Sequence, residues 1–208
     1  MAKLPADSGP VRAGTGRLLG FIDAVVAIAM TLLILPPVTG AAAAGGQSPG
    51  AFLAENSFSL FAFALSFVVI FRFWLGHHHT YESISGFTPA LVWANLLWLL
   101  SLVFLPFPTQ LLDSGGQDGR LTNGLYIGTM LLTSASALIQ QMIISRTPGL
   151  AAADARPARV LPAASLTALM AFALAVALGF PRVGLWALLL LFLQRPVERL
   201  AARVLRAA

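Results

Sequence analysis

Asp23 is the most informative charged residue of this 208-residue sequence, because it stands alone inside a long apolar stretch. A carboxylate within a membrane helix costs about 2.5–3.5 kcal/mol on insertion scales, so it normally faces the protein interior or water and has a partner. Two interpretations follow. Asp23 either ties the end of its helix to Arg17 for packing, or it titrates or positions a helix during transport.

Three consecutive histidines, His77, His78 and His79, form the second group of titratable side chains. Successive side chains on a helix point about 100° apart, so these three cannot bind one metal ion together. A zinc site needs ligands one turn apart or on separate elements. We therefore expect no metal and no cofactor. One histidine is expected to form a hydrogen bond with Asp23 or Arg17.

Three amide side chains, Asn95, Gln140 and Gln141, lie in otherwise apolar stretches. Buried amides at such positions typically form hydrogen bonds between helices. The sequence has no cysteine, which excludes thiolate metal sites, disulfides and cysteine nucleophiles. It also lacks GxSxG, HExxH and a glycine-rich phosphate loop. The sequence therefore predicts that the protein is not an enzyme.

The composition predicts that these residues are positioned by helices in a lipid bilayer. The chain is 58% hydrophobic and only 10% charged, whereas soluble domains carry about 25% charged residues. Six stretches approach the roughly 20 apolar residues needed to cross the hydrocarbon core. We predict an all-α membrane protein with one six-helix transmembrane domain over residues 1–208, its helices lying at about 18–37, 51–76, 87–112, 121–145, 160–181 and 183–205. Glycine-rich or polar loops are expected at residues 39–50, 113–120 and 146–159.

The basic residues predict the orientation of the chain. If the N-terminus is cytoplasmic, all but Arg120 and Arg182 of the 13 lysines and arginines fall on the cytoplasmic side. This asymmetry follows the positive-inside rule and places both termini in the cytoplasm. The net charge of +5 is scattered along the chain, so it indicates membrane topology rather than nucleic-acid binding. Membrane lipids are the expected surroundings.

The first predicted helix carries a regular apolar stripe. Ile28, Leu32 and Leu35 recur at i, i+4 and i+7, which is one helical face, and Thr31 lies beside it. Taken alone, such a stripe indicates packing against a neighbouring helix.

Three motifs, in order, resemble the transmembrane protein 175 family of potassium-permeable channels. In the first helix, Arg17, Phe21 and Asp23 match the family motif Arg-x-x-x-Phe-Ser-Asp, and similar residues continue to Pro36. The other two motifs are "FRFWLGHHH" at 71–79 and "LVWANLLWLLSLVFLPFPTQLL" at 91–112. One position departs from the pattern. Ile22 stands where the family has serine, so a hydroxyl that would help bind Arg17 and Asp23 is missing.

The resemblance implies a bacterial inner-membrane channel that assembles as a homotetramer, with K⁺ as the permeant ion. The first helices of four subunits would line the central pore, with Ile28, Thr31, Leu32 and Leu35 facing it. Rings of isoleucine or leucine would form the gate by excluding water. A supporting network would surround the pore helix, made of Arg17, Phe21, Asp23, Trp74, His77 and Asn95.

Two other classes remain open from the sequence. In a proton- or cation-coupled secondary transporter, Asp23 would be the coupling site at a broken helix. In a small membrane enzyme or assembly factor, the polar groups would cluster at one depth, and Asp23, the histidines and Arg72 are all predicted on the cytoplasmic side.

Overall fold

The computed structural model describes residues 15–43, 45–113, 119–151 and 160–180. Within these ranges the chain is helical, apart from turns and one isolated bridge between Ile84 and Ala151. The eight helices described are α1 (Thr15–Leu32), α2 (Leu35–Ala43), α3 (Pro49–Glu55), α4 (Ser57–Tyr81), α5 (Pro89–Phe104), α6 (Pro106–Asp113), α7 (Gly119–Arg146) and α8 (Val160–Gly179).

Five helical segments are long and apolar enough to cross a membrane. They are Gly16–Ala43, Ser57–Tyr81, Pro89–Leu112, Gly119–Arg146 and Val160–Gly179. The first joins α1 to α2, and the third joins α5 to α6. The predicted all-helical membrane class is confirmed. The predicted sixth helix, at 183–205, lies outside the described residues.

Local chemistry sets where these helices begin. Ser48 accepts a hydrogen bond from the Ala51 amide before α3, and Thr88 accepts one from the Leu91 amide before α5. In both helices a proline follows the cap at the first helical position, where its missing amide costs nothing. The third predicted helix is interrupted before Pro106, since α5 ends at Phe104 and α6 begins at Pro106.

Several boundaries differ from those expected from sequence. Residues 39–43, expected in a loop, belong to α2, because Ala41 to Ala43 favour helix. Gly46, with φ of 88°, adopts the left-handed conformation that suits glycine in the turn that follows. The second span continues to Tyr81, so the three histidines are helical.

The core lies where α1, α4, α5, α7 and α8 meet. α1 packs against α4, α5 and α6, whereas α7 packs against α5 and α8. The largest fully buried side chains in this cluster include Ile22, Ile70, Trp98, Tyr126 and Met170. Ile22, which stands at the serine position of the motif that the first helix resembles, is thus a core residue that packs among apolar side chains.

Candidate functional site

α1 has two sharply different faces. Ile22, Val26, Ala29 and Leu33 are at most 3% exposed and face the core. Ile28 is 60%, Leu32 38% and Leu35 47% exposed, and Thr31 lies on the same uncovered face. The four residues predicted to line a pore therefore share a face that the described part of the chain leaves open.

Small residues lie beside the apolar ridge that Ile28, Leu32 and Leu35 form on the open face of α1. Gly20, Ala24 and Ala27 are exposed beside Ile28, and Thr31 continues the row one turn further along. Small residues spaced four apart let membrane helices approach closely. The Thr31 hydroxyl donates to the Ile28 carbonyl at 2.8 Å, so its proton is already used while its oxygen lone pairs remain available.

The predicted supporting network divides into two pairs. The first joins α1 to α4. Trp74 Nε1 donates to Asp23 Oδ1 at 2.7 Å, and His78 Nδ1 lies 3.7 Å from the same oxygen. Asp23 therefore faces α4. His78 also lies 3.3 Å from Glu82, so the second histidine of the row stands between two carboxylates.

The second pair joins α4 to α5. His77 Nε2 lies 2.8 Å from Asn95 Oδ1, and both residues are buried. An amide oxygen only accepts, so this bond places an imidazole proton on Nε2. His77 is the histidine that faces the bundle, while His78 is half-buried and His79 is exposed.

Two aromatic residues that the sequence reasoning missed hold the His77 ring. Tyr81 and Trp98 stack on it with ring centroids 4.0 and 3.9 Å away and interplanar angles of 16° and 19°. Two nearly parallel contacts at this distance must lie on opposite faces of the imidazole. The sequence feature that could have identified these two aromatic residues is helical spacing. Tyr81 follows His77 by four residues and Trp98 follows Asn95 by three, so each lies on the same helical face as a network residue.

Arg17 and Phe21 lie apart from these pairs. Both are exposed on the open face of α1, and Arg17 has no ion-pair partner among the residues that the structure describes. Within the described ranges, no three His, Cys, Asp or Glu side chains are grouped to hold a metal ion.

Amides and hydroxyls bind the remaining helices to one another. Gln140 donates to the Ala94 carbonyl at 3.2 Å and Gln141 to Thr80 at 2.9 Å, which confirms the predicted bonds between helices. Deeper in the bundle, Ser66 Oγ lies 3.0 Å from Thr109 Oγ1 and 2.9 Å from the Tyr126 hydroxyl. These bonds fix α4, α6 and α7 around the site.

We expect Trp74→Phe to lower the free energy of unfolding by about 1.5 kcal/mol, because it removes the hydrogen bond to Asp23. This value is the low end of the range for hydrogen bonds to charged groups, since the Asp23 carboxylate is partly exposed to solvent. Denaturant titration in detergent would measure this loss. Trp93→Phe is the matched control, since Trp93 is exposed. Equal stability of the two variants would show that the Trp74–Asp23 bond is not stabilising.

The long apolar helices, joined by buried polar bonds, define a multi-pass α-helical membrane protein. Residues 17–106 match the family model described as "Endosomal/lysosomal potassium channel TMEM175". Through this region, which holds both network pairs and the open face of α1, the chain is similar to the TMEM175 family.

Three bacterial relatives, each named a potassium channel, resemble the chain. A Streptomyces collinus protein is 32% identical over 137 residues, covering 62% of each chain. A Chamaesiphon minutus protein is 34% identical over 128 residues, covering 59% of this chain and 62% of the relative. A Chryseobacterium protein is 28% identical over 131 residues, covering 62% of this chain and 65% of the relative. The match thus spans less than two thirds of these relatives' own length.

Proposed function

We propose that this chain is one subunit of a potassium-permeable channel whose pore is lined by the open face of α1. The single observation that carries the proposal is the uncovered stripe of Ile28, Thr31, Leu32 and Leu35 opposite a fully packed face. The family match, and relatives named as potassium channels, support conduction of K⁺ rather than catalysis.

The composition of the open face favours contact with other copies of α1 over lipid alone. Lipid-facing surfaces need only apolar bulk, whereas this face places Gly20, Ala24 and Ala27 beside the large side chains. Such a pattern suits helices that meet closely around an axis. A homotetramer would bring four copies of each ridge residue together, and a symmetric ring needs only one face from each subunit.

The ridge would act as a hydrophobic gate. Rings of isoleucine and leucine leave a narrow apolar passage that excludes water and therefore ions. The Trp74–Asp23 and His77–Asn95 pairs would hold α1 at a fixed angle to α4 and α5, so that the ridges meet at the axis. We further propose the bacterial inner membrane as the location, with both termini cytoplasmic, on the basis of the positive-inside asymmetry.

Ion flux through purified protein in liposomes tests the proposal. A channel is expected to pass K⁺ down its gradient without a coupled ion, to show unitary current steps, and to keep conducting when Asp23 is changed to Asn. Empty liposomes are the control, and Na⁺ is the competing ion. Potassium movement that requires an opposing proton or sodium gradient, and that Asp23→Asn abolishes, would instead establish a secondary transporter.

A further inference from the structure

The span formed by α1 and α2 is interrupted by a turn. α1 ends at Leu32, α2 begins at Leu35, and Pro36 and Pro37 follow directly. Because proline has no amide proton, the Leu33 carbonyl loses the donor that a continuous helix would supply at Pro37. No side chain of the described residues donates to this carbonyl either. Within a bilayer, a carbonyl freed by proline is satisfied by a neighbouring hydroxyl or by an ordered water.

A cavity of about 10 Å³ lies beside this turn. It is lined by buried residues of three helical segments, namely Leu33 and Pro37 of the first span, Ser59 of α4, and Pro106 and Thr109 of α6. The break between α5 and α6 therefore borders the same cavity as the break between α1 and α2. The volume is about what one water molecule requires.

Ser59 is a buried polar residue of this cavity whose side chain has no partner. It is 7% exposed, and its hydroxyl forms no hydrogen bond with the residues that the structure describes. The hydroxyl can donate a proton and the Leu33 carbonyl can accept one, yet no bond joins them. A buried polar group without a partner is costly. A molecule in the cavity that both accepts and donates hydrogen bonds would satisfy both groups.

Thr109 connects the cavity to a chain of buried hydroxyls. Its hydroxyl donates to the Leu105 carbonyl at 2.9 Å, so Ser66 is the donor in the 3.0 Å bond between the two hydroxyls. The Tyr126 hydroxyl, 2.9 Å from Ser66 Oγ, is then the donor to Ser66. Thr109 Oγ1 keeps one free lone pair. The chain of bonds that joins α4, α6 and α7 therefore ends at a residue that lines the cavity.

We propose that one water molecule occupies this cavity and links the turn between α1 and α2 to the hydroxyl chain. The water accepts a hydrogen bond from Ser59 and donates two, one to the Leu33 carbonyl and one to Thr109 Oγ1. Three hydrogen bonds are typical of a buried water. Leu33 lies on the packed face of the span, so the water site is independent of the pore proposed for the open face.

Structure determination of the purified full-length protein in lipid nanodiscs, at a resolution that shows ordered water, tests the site directly. We expect one density peak within hydrogen-bond distance of Ser59 Oγ, the Leu33 carbonyl oxygen and Thr109 Oγ1. An empty cavity would overturn the proposal. A Ser59 hydroxyl bonded directly to a backbone carbonyl would overturn it as well.

A double-mutant cycle measures whether one molecule links the two hydroxyls. The Tm in detergent is recorded for the wild type, Ser59→Ala, Thr109→Val and the double variant. We expect Ser59→Ala alone to lower Tm by about 2–4 °C, the shift for one ordinary hydrogen bond in a protein of this size. In the Thr109→Val background, where the water has already lost a partner, Ser59→Ala should lower Tm by roughly half as much or less, because groups that share a partner are coupled.

Ser57→Ala is the matched control, since Ser57 lies on the same helix, is exposed and does not line the cavity. It should leave Tm unchanged in both backgrounds. Equal falls in Tm from Ser59→Ala with and without Thr109→Val would refute the water link. If Thr109→Val does not fold, Pro37→Ala replaces it, because the restored amide can bond the Leu33 carbonyl in place of the water. An undiminished effect of Ser59→Ala in that background would likewise refute the link.

Discussion

Replacing Ile28 with asparagine is expected to raise potassium flux through the protein at least about tenfold, which corresponds to lowering the barrier by about 1.4 kcal/mol. The amide would hydrate the ridge at its most exposed large residue, so the passage would no longer exclude water. Flux of K⁺ into liposomes containing equal amounts of folded protein measures the change. Leu35→Ala should raise flux in the same direction by widening the passage.

Leu100→Asn is the matched control for Ile28→Asn. Leu100 is 63% exposed on α5, and Ile28 is 60% exposed on α1, so nearly the same change is made on a different helix. We expect Leu100→Asn to leave flux within experimental error of the wild type. Equal increases in both variants would indicate non-specific leakage. Unchanged flux in both Ile28→Asn and Leu35→Ala would refute the assigned pore face.

Replacing Trp98 with alanine is expected to lower the free energy of unfolding by about 3–5 kcal/mol, the range for deleting a large aromatic side chain from a core. Trp98 is fully buried and covers one face of His77, so its removal also frees the ring that binds Asn95. Denaturant titration in detergent, followed by circular dichroism, measures the loss.

Trp93→Ala provides the comparison on the same helix. Trp93 lies five residues before Trp98 and is 70% exposed, so its removal should change the free energy of unfolding by no more than about 0.5 kcal/mol. A similar cost for both tryptophans would mean that stacking on His77 contributes little and that α5 tolerates truncation on either face.

The sequence predicted the helical class because apolar length alone decides whether a segment can cross a bilayer. It did not predict the ends of the helices. Those depend on single interactions, such as the Asn56 side chain bonding the Phe52 carbonyl between α3 and α4, which leave no trace in average hydropathy. The turn at Leu33 and Ile34 is another example, since the apolar run continues across it without interruption.

The motifs indicated which polar residues belong to the network, but not which of them form hydrogen bonds with one another. Asp23 and His77 both belong to the network, yet Trp74 bonds the first and Asn95 the second, and only packing of α1 against α4 and α5 distinguishes the two arrangements. For Arg17 and Phe21, the contacts could not be predicted for a different reason. They lie on the open face of α1, where the described part of the chain places no ion-pair partner beside Arg17.

The turn after α4 has a consequence for how the protein is made. The Ser85 amide donates to the Leu150 carbonyl at 2.8 Å, and the Ser85 hydroxyl bonds the Gly149 carbonyl at 2.9 Å. Ser85 and Leu150 are 65 residues apart in the chain. During translation, the turn after α4 must therefore wait for this partner until α5, α6 and α7 have been synthesised. The hydrogen bonds between the two turns therefore form late, after the next two spans, Pro89–Leu112 and Gly119–Arg146, have been made.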